Sequence, residues 1–138
     1  RSLKTRMDAH EAAGLRIANW LSERPEVSQV LHPALEQHPD HVIWKRDFTG
    51  SNGLFSVILN AVSPEGLKRF FDALELFSMG FSWGGFESLI IPCDPQLKRS
   101  KGHWIDQKVG PLLRIHVGLE TVDDLIADLR AGFEAMGE

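Results

Sequence analysis

A chain of 138 residues supports one hydrophobic core with little left over for a second. Apolar residues make up 43% and charged residues 25%, the proportions of an ordinary globular domain. The net charge of −4, with acids and bases interleaved, excludes the clustered basic surface of a nucleic-acid binder, and no apolar run approaches the roughly 20 residues that span a bilayer. Cys93 is the only cysteine, so no disulfide can form within the chain. With no secretory pattern at its start, the sequence points to a reduced, cytoplasmic setting. It opens at Arg1 on residues that read as the interior of a helix, and a further part of the polypeptide is therefore expected upstream.

Apolar periodicity predicts one helix from Leu3 to Arg24, with Leu3, Met7, Ala13, Gly14, Ile17, Trp20 and Leu21 near one face and Pro25 as its stop. The β-branched run Val27 to Leu31 reads as a short strand ended by His32-Pro33. A short helix over Pro39 to Trp44 precedes the loop Thr49-Gly50-Ser51-Asn52-Gly53. Leu54 to Leu59 is almost continuously apolar, the pattern of a strand covered on both faces. Ser63 and Pro64 form a cap and first turn for a helix from Glu65 to Leu74, which buries Leu67, Phe70, Phe71 and Leu74. Phe77 and Met79 suggest a brief strand, a glycine-bearing stretch runs to Gly85, and Glu87 to Ile91 is a further strand closed by Pro92.

The polar segment from Asp94 to Pro111 is the longest loop and carries Lys98-Arg99-Ser100-Lys101. Leu112 to Val117 is the last strand. Thr121-Val122-Asp123-Asp124 opens the final helix on a capping-box-like pattern, with Val122, Leu125, Ile126, Leu129 and Phe133 as its buried stripe. The elements add up to four to five strands and three principal helices. The fold class that follows is an α/β (α+β) sandwich, with helices packed on one face of a small, mostly antiparallel sheet.

Two places can carry chemistry. Alternate side chains of a strand share a face, so Leu113, Ile115 and Val117 fix the register and Arg114 must emerge on the other side with Leu112 and His116. An arginine there offers a planar fork to a carboxylate; the alternative is a solvated arginine on an outer sheet face. The second place is Ser82-Trp83-Gly84-Gly85. Paired glycines permit positive φ and close approach of a ligand to backbone N–H groups. Its alternative is a bulge or tight connection with Trp83 in the core.

Other residues carry less. His32, His38 and His41 suggest a metal site, but they flank prolines without a cysteine or matching carboxylates. His116 can approach a substrate beside Arg114 or simply pack. Cys93 reads as a small residue ending a strand, and Lys98 to Lys101 as a solvated loop that can touch anionic groups.

Taken together, three stretches resemble one family. Phe77-Ser78-Met79-Gly80-Phe81-Ser82-Trp83-Gly84-Gly85-Phe86-Glu87-Ser88-Leu89 and Leu113-Arg114-Ile115-His116-Val117-Gly118-Leu119-Glu120-Thr121-Val122-Asp123-Asp124-Leu125-Ile126-Ala127-Asp128-Leu129 are similar to the carboxy-terminal signatures of the cysteine/methionine-metabolism family of pyridoxal-phosphate enzymes. Arg1-Ser2-Leu3-Lys4-Thr5 resembles that family's Arg-Gly-Leu-Lys-Thr, departing at Ser2.

The resemblance implies the carboxy-terminal domain of a fold type I enzyme, with residues 1–24 a helix leading in from an upstream cofactor domain and 25–138 the substrate-carboxylate domain. It further implies that Arg114 binds the substrate α-carboxylate, with Ser82 and the backbone at Trp83 completing the pocket. Trp83 resembles the β-lyase branch, where synthases and γ-lyases usually have Leu-Gly-Gly. The implied reaction is α,β-elimination of cystathionine to homocysteine, pyruvate and ammonia in methionine biosynthesis, by a homo-oligomer of two or four chains.

The family's cofactor, pyridoxal phosphate, needs a lysine to anchor it, an acidic partner and a phosphate cradle. None of Lys4, Lys45, Lys68, Lys98, Lys101 and Lys108 matches the family's lysine motif, and the chain has no tyrosine. The cofactor machinery is therefore expected upstream of Arg1, and these residues alone are not expected to be active. A γ-lyase or γ-synthase relative remains an alternative. So does a free-standing binding or assembly domain, for which Trp20, Trp44 and Trp104 can line an associating surface.

Overall fold

The computed structural model describes residues 1–98 and 108–137; Arg99, Ser100, Lys101 and Trp104 lie outside them. Helix α1 spans Leu3–Ser22, strand β1 Val27–Leu31, helix α2 His41–Asp47 and strand β2 Leu54–Leu59. Helix α3 follows over Pro64–Asp72, strand β3 over Leu89–Pro92, and a 3-10 turn over Asp94–Gln96. Strand β4 is Leu112–His116 and helix α4 is Val122–Gly137.

The four strands form one antiparallel sheet in the order β1-β2-β4-β3. Its register sorts the side chains. Val57 pairs with Leu113, Phe55 with Ile115 and Ile90 with Ile115, so their side chains share one face. That face is the core, where they meet Ala13, Ile17, Ala18 and Leu21 of α1, Phe70 of α3, and Leu125, Leu129 and Phe133 of α4. Arg114 pairs with Ser56 on one side and Ile91 on the other, and these three form a row on the opposite face. Ile58, Ile91 and Leu112 are buried on that face too, which is why β2 has hardly any polar residue.

Local sequence accounts for the start of α3. Ser63 caps α3 by accepting the N–H of Gly66 at 3.0 Å, with Pro64 at the first position, where the missing N–H costs nothing. Arg69 of α3 donates to the carbonyl of Ala135 at 3.0 Å, placing a cation at the carbonyl end of α4. The stripe expected on α4 is observed: Leu125, Leu129 and Phe133 are buried, and Val122 and Ile126 pack partly against the core.

Three expectations need correction. Leu3 is 63% exposed, because the buried stripe of α1 begins only at His10 and Leu3 projects past the core. The short helix starts two residues and ends three residues later than expected: the carbonyls of His32, Leu35 and His38 are used in successive turns, and the first helical bond runs from Trp44 to Asp40. The segment around Phe77 and Met79 is not a strand. Only Ser78 bridges, in parallel to Leu89, and both of its backbone bonds go to Ser88 and Ile90.

Candidate functional site

The site is built on the far face of β4. Leu113 and Ile115 anchor the strand in the core, so Leu112, Arg114 and His116 point the other way, and Arg114 and His116 meet residues 80–85 there. Arg114 meets this turn directly. Its Nη2 donates to the carbonyl of Phe81 at 2.7 Å and is 3.2 Å from that of Gly80 and 3.4 Å from that of Ser82. Three carbonyl dipoles thus converge on one guanidinium nitrogen. Nε and Nη1 have no partner among the described residues, leaving three N–H groups open.

The rest of the turn is held from β4 and its continuation. His116, buried beneath it, has Nε2 at 3.1 Å from both the nitrogen of Gly84 and the carbonyl oxygen of Gly85. Gly84 has φ +83°, a conformation that side-chain-bearing residues avoid. Leu119 donates its N–H to the carbonyl of Phe86 at 2.8 Å, and a Cβ at Gly118 would overlap that same carbonyl oxygen. Glu120 takes the N–H of Ser88 at 2.8 Å and its hydroxyl at 2.7 Å, while the Ser88 oxygen accepts from the N–H of Gly118 at 2.8 Å.

The turn presents its apolar side chains outward. Trp83 is 59% exposed, and Phe81 and Phe86 are each 67% exposed, so Trp83 is not a core residue. Ser82 is exposed as well. Beside Arg114 an open pocket of about 560 Å³ is lined by Phe81, Ile91, Cys93, Gln96, Leu97, Lys98 and Leu112. Burial raises the Cys93 thiol above its ordinary pKa, and the nearby Arg114 charge only partly offsets this, so the sulfur is a neutral part of the wall.

The sequence reading missed several supports. Asp128 sits within the apolar stripe of α4, where a carboxylate must find partners; it accepts the N–H groups of Glu75, Leu76 and Phe77 at 2.7, 3.0 and 2.9 Å. His10 interrupts the buried stripe of α1 in the same way, bonding the carbonyl of Val117 at 2.8 Å. In both cases the signal was a polar residue at an apolar position of a helical repeat.

The three histidines near the prolines serve their own turns. His32 and His38 accept the N–H groups of Ala34 and Asp40, and Nδ1 of His41 is 2.9 Å from the carbonyl of Pro33. Among the described residues, no group of three or more His, Cys, Asp or Glu side chains is arranged to hold a metal ion. Nor is any helix there long and apolar enough to cross a membrane. Trp20 packs partly against the core under Arg24, and Trp44 stacks on His41.

The sequence matches the family described as Cys/Met metabolism PLP-dependent enzyme over residues 1–134. The chain belongs to that family. It is 50% identical over 135 residues to cystathionine beta-lyase of Salmonella typhimurium, covering 96% of this chain and 34% of that protein. Identity to cystathionine beta-lyase MetC of Escherichia coli is 50% over 137 residues, with the same two shares. The solved structure of cystathionine gamma synthase from Xanthomonas oryzae pv. oryzae in complex with cystathionine superposes with a TM-score of 0.86 at 30% identity, covering 99% of this chain and 36% of that one. This chain therefore spans about a third of the length of these members of the PLP-dependent family.

The family's cofactor does not fit the residues described. None of their lysines is buried, and Lys4, Lys68 and Lys108 are paired with Asp8, Asp72 and Asp94. Lys45 is exposed on α2, and Lys98 is exposed at the mouth of the pocket beside Arg114. A covalent anchor for pyridoxal phosphate needs a lysine held in a desolvated place, and none of these described lysines is in one.

Proposed function

We propose that this chain forms the substrate-carboxylate side of a PLP-dependent carbon–sulfur lyase of the cystathionine β-lyase type. The observation that carries the reading is the meeting of Arg114 with the Ser82 turn beside an open pocket, in a chain half identical to named cystathionine beta-lyases. In this reading, the open N–H groups of Arg114 take the α-carboxylate of the amino acid. Ser82 and the backbone at Trp83 complete the clamp, and the exposed ring of Trp83 covers the bound substrate from water. Fixing one end of the substrate this way restricts its rotation before reaction, a positioning effect.

The complete enzyme would convert cystathionine and water into homocysteine, pyruvate and ammonia, as a step of methionine biosynthesis. Pyridoxal phosphate would be held by a part of the protein beyond these 138 residues, with α1 leading in from it and residues 25–138 as the carboxylate domain. A cytoplasmic homo-oligomer fits the lone thiol and the exposed apolar side chains around the turn. The test is product analysis on the full-length protein loaded with pyridoxal phosphate and given cystathionine. Pyruvate with homocysteine is expected. Formation of 2-oxobutyrate with cysteine would instead make it a γ-lyase, and the absence of both product pairs would overturn the lyase reading.

A further inference from the structure

Arg114 and His116 are alternate residues of β4 and hold opposite ends of the same turn. Arg114 takes the carbonyls of residues 80–82, His116 takes residues 84 and 85, and Trp83 lies between them. We propose that His116 is a positioning residue for carboxylate binding: its neutral imidazole holds Gly84 and Gly85, and with them the Ser82–Trp83 backbone that faces Arg114. This rests on the carboxylate-clamp reading and goes beyond it, because His116 does not touch the substrate. At 2% exposure the ring is covered by the turn it holds.

The geometry selects the neutral ring. In the tautomer protonated at Nε2, the ring donates to the Gly85 carbonyl at 3.1 Å while Nδ1, 3.4 Å from the Gly84 nitrogen, accepts its N–H. In the other tautomer Nε2 itself accepts from Gly84 at 3.1 Å. Either neutral form therefore gives the Gly84 N–H an acceptor. A protonated ring carries N–H on both nitrogens and turns a donor toward a donor. Gly84 sits at positive φ and its N–H has no other acceptor among the described residues, so losing this one releases the turn at the residue next to Trp83.

The surroundings favour the same state. Burial is the chief influence and disfavours the charged ring; His10 of α1, whose ring lies 5.2 Å away, and Arg114 of β4 add to it. The Gly85 carbonyl and Glu120, from the connection to α4, act in the opposite sense, and the balance lowers the His116 pKa. A guanidinium group as such does not titrate in this range. Substrate affinity should therefore weaken in acid through the turn and not through the arginine.

The experiment measures kcat and KM for cystathionine between pH 5.5 and 8 in the full-length PLP-loaded protein. His116→Leu, which removes both bonds, should raise KM about tenfold with kcat within about twofold. His116→Gln can donate and accept without titrating; it should return KM to within about threefold and abolish the rise in KM at acid pH. An unchanged KM in His116→Leu would overturn the inference, and so would an acid rise in KM that persists in His116→Gln. Should the leucine variant fail to fold, the glutamine pH profile decides alone. Arg114→Gln separates the two levels. An unchanged KM there overturns the carboxylate reading itself, whereas a raised KM there beside an unchanged His116→Leu overturns only the role of His116.

Discussion

The carboxylate of Asp128 accepts the backbone N–H of Phe77 at 2.9 Å, so the last helix grips the chain just ahead of the site turn. The same carboxylate holds Glu75 and Leu76, which leaves three backbone donors dependent on one side chain. Asp128→Asn replaces an acceptor oxygen with a donor and should cost about 2–3 kcal/mol; Asp128→Ala should cost more. Equilibrium urea unfolding reads both. An Asn variant as stable as the parent would mean that water replaces these bonds.

The fork of Arg114 predicts a clear penalty for a point charge. Arg114→Lys keeps the charge but loses the planar donors that reach the turn carbonyls and the open N–H groups beside them. On the proposed carboxylate-clamp reading, kcat/KM for cystathionine in the full-length protein should fall by about a hundredfold, the loss of a charge-assisted bidentate contact. Equal activity in the lysine variant would show that only charge matters at this position.

Two glycines of the site should respond differently to alanine. At Gly84 a Cβ meets nothing within 4 Å, so the cost is backbone alone, about 1–2 kcal/mol for a side chain at φ +83°. At Gly118 a Cβ would overlap the Phe86 carbonyl, and either the turn or β4's continuation must shift. Gly118→Ala should therefore cost about 3 kcal/mol or more and disturb the turn as well. Thermal unfolding ranks the two, and the reverse order would contradict the geometry.

What the sequence disclosed followed what its patterns could encode. The alternation Leu113, Ile115, Val117 was enough to send Arg114 to the far face, because a one-residue slip would bury a guanidinium in the core. Ser63 announced its helix through local chemistry alone. Phe77 and Met79 misled because alternation does not reveal whether a strand has a partner: Phe77 is buried, but its N–H goes to Asp128, not to a neighbouring strand. His116 was legible as a neighbour of Arg114 but not as a support. Its partners Gly84 and Gly85 lie 32 and 31 residues away, and only the fold brings them together.

Acid should destabilise the fold through His32 and His116. Burial lowers the pKa of both rings in the folded protein, whereas in the unfolded chain they titrate near 6.5. Between the lowered folded values and about 6.5, the unfolded state binds more protons. Their contribution is thus fully present above that pH and is lost as pH falls below it. With two such groups the slope can reach about 2.7 kcal/mol per pH unit. His32 packs 5.3 Å from the Phe55 ring, so His32→Phe removes a titrating group and leaves an aromatic one, while His116→Gln removes the other. Urea unfolding at pH 7.5, 6.5 and 5.5 should show falling stability in the parent and a flatter profile in the double variant. A parent profile already flat over this range would mean that both rings accept a proton within the folded protein.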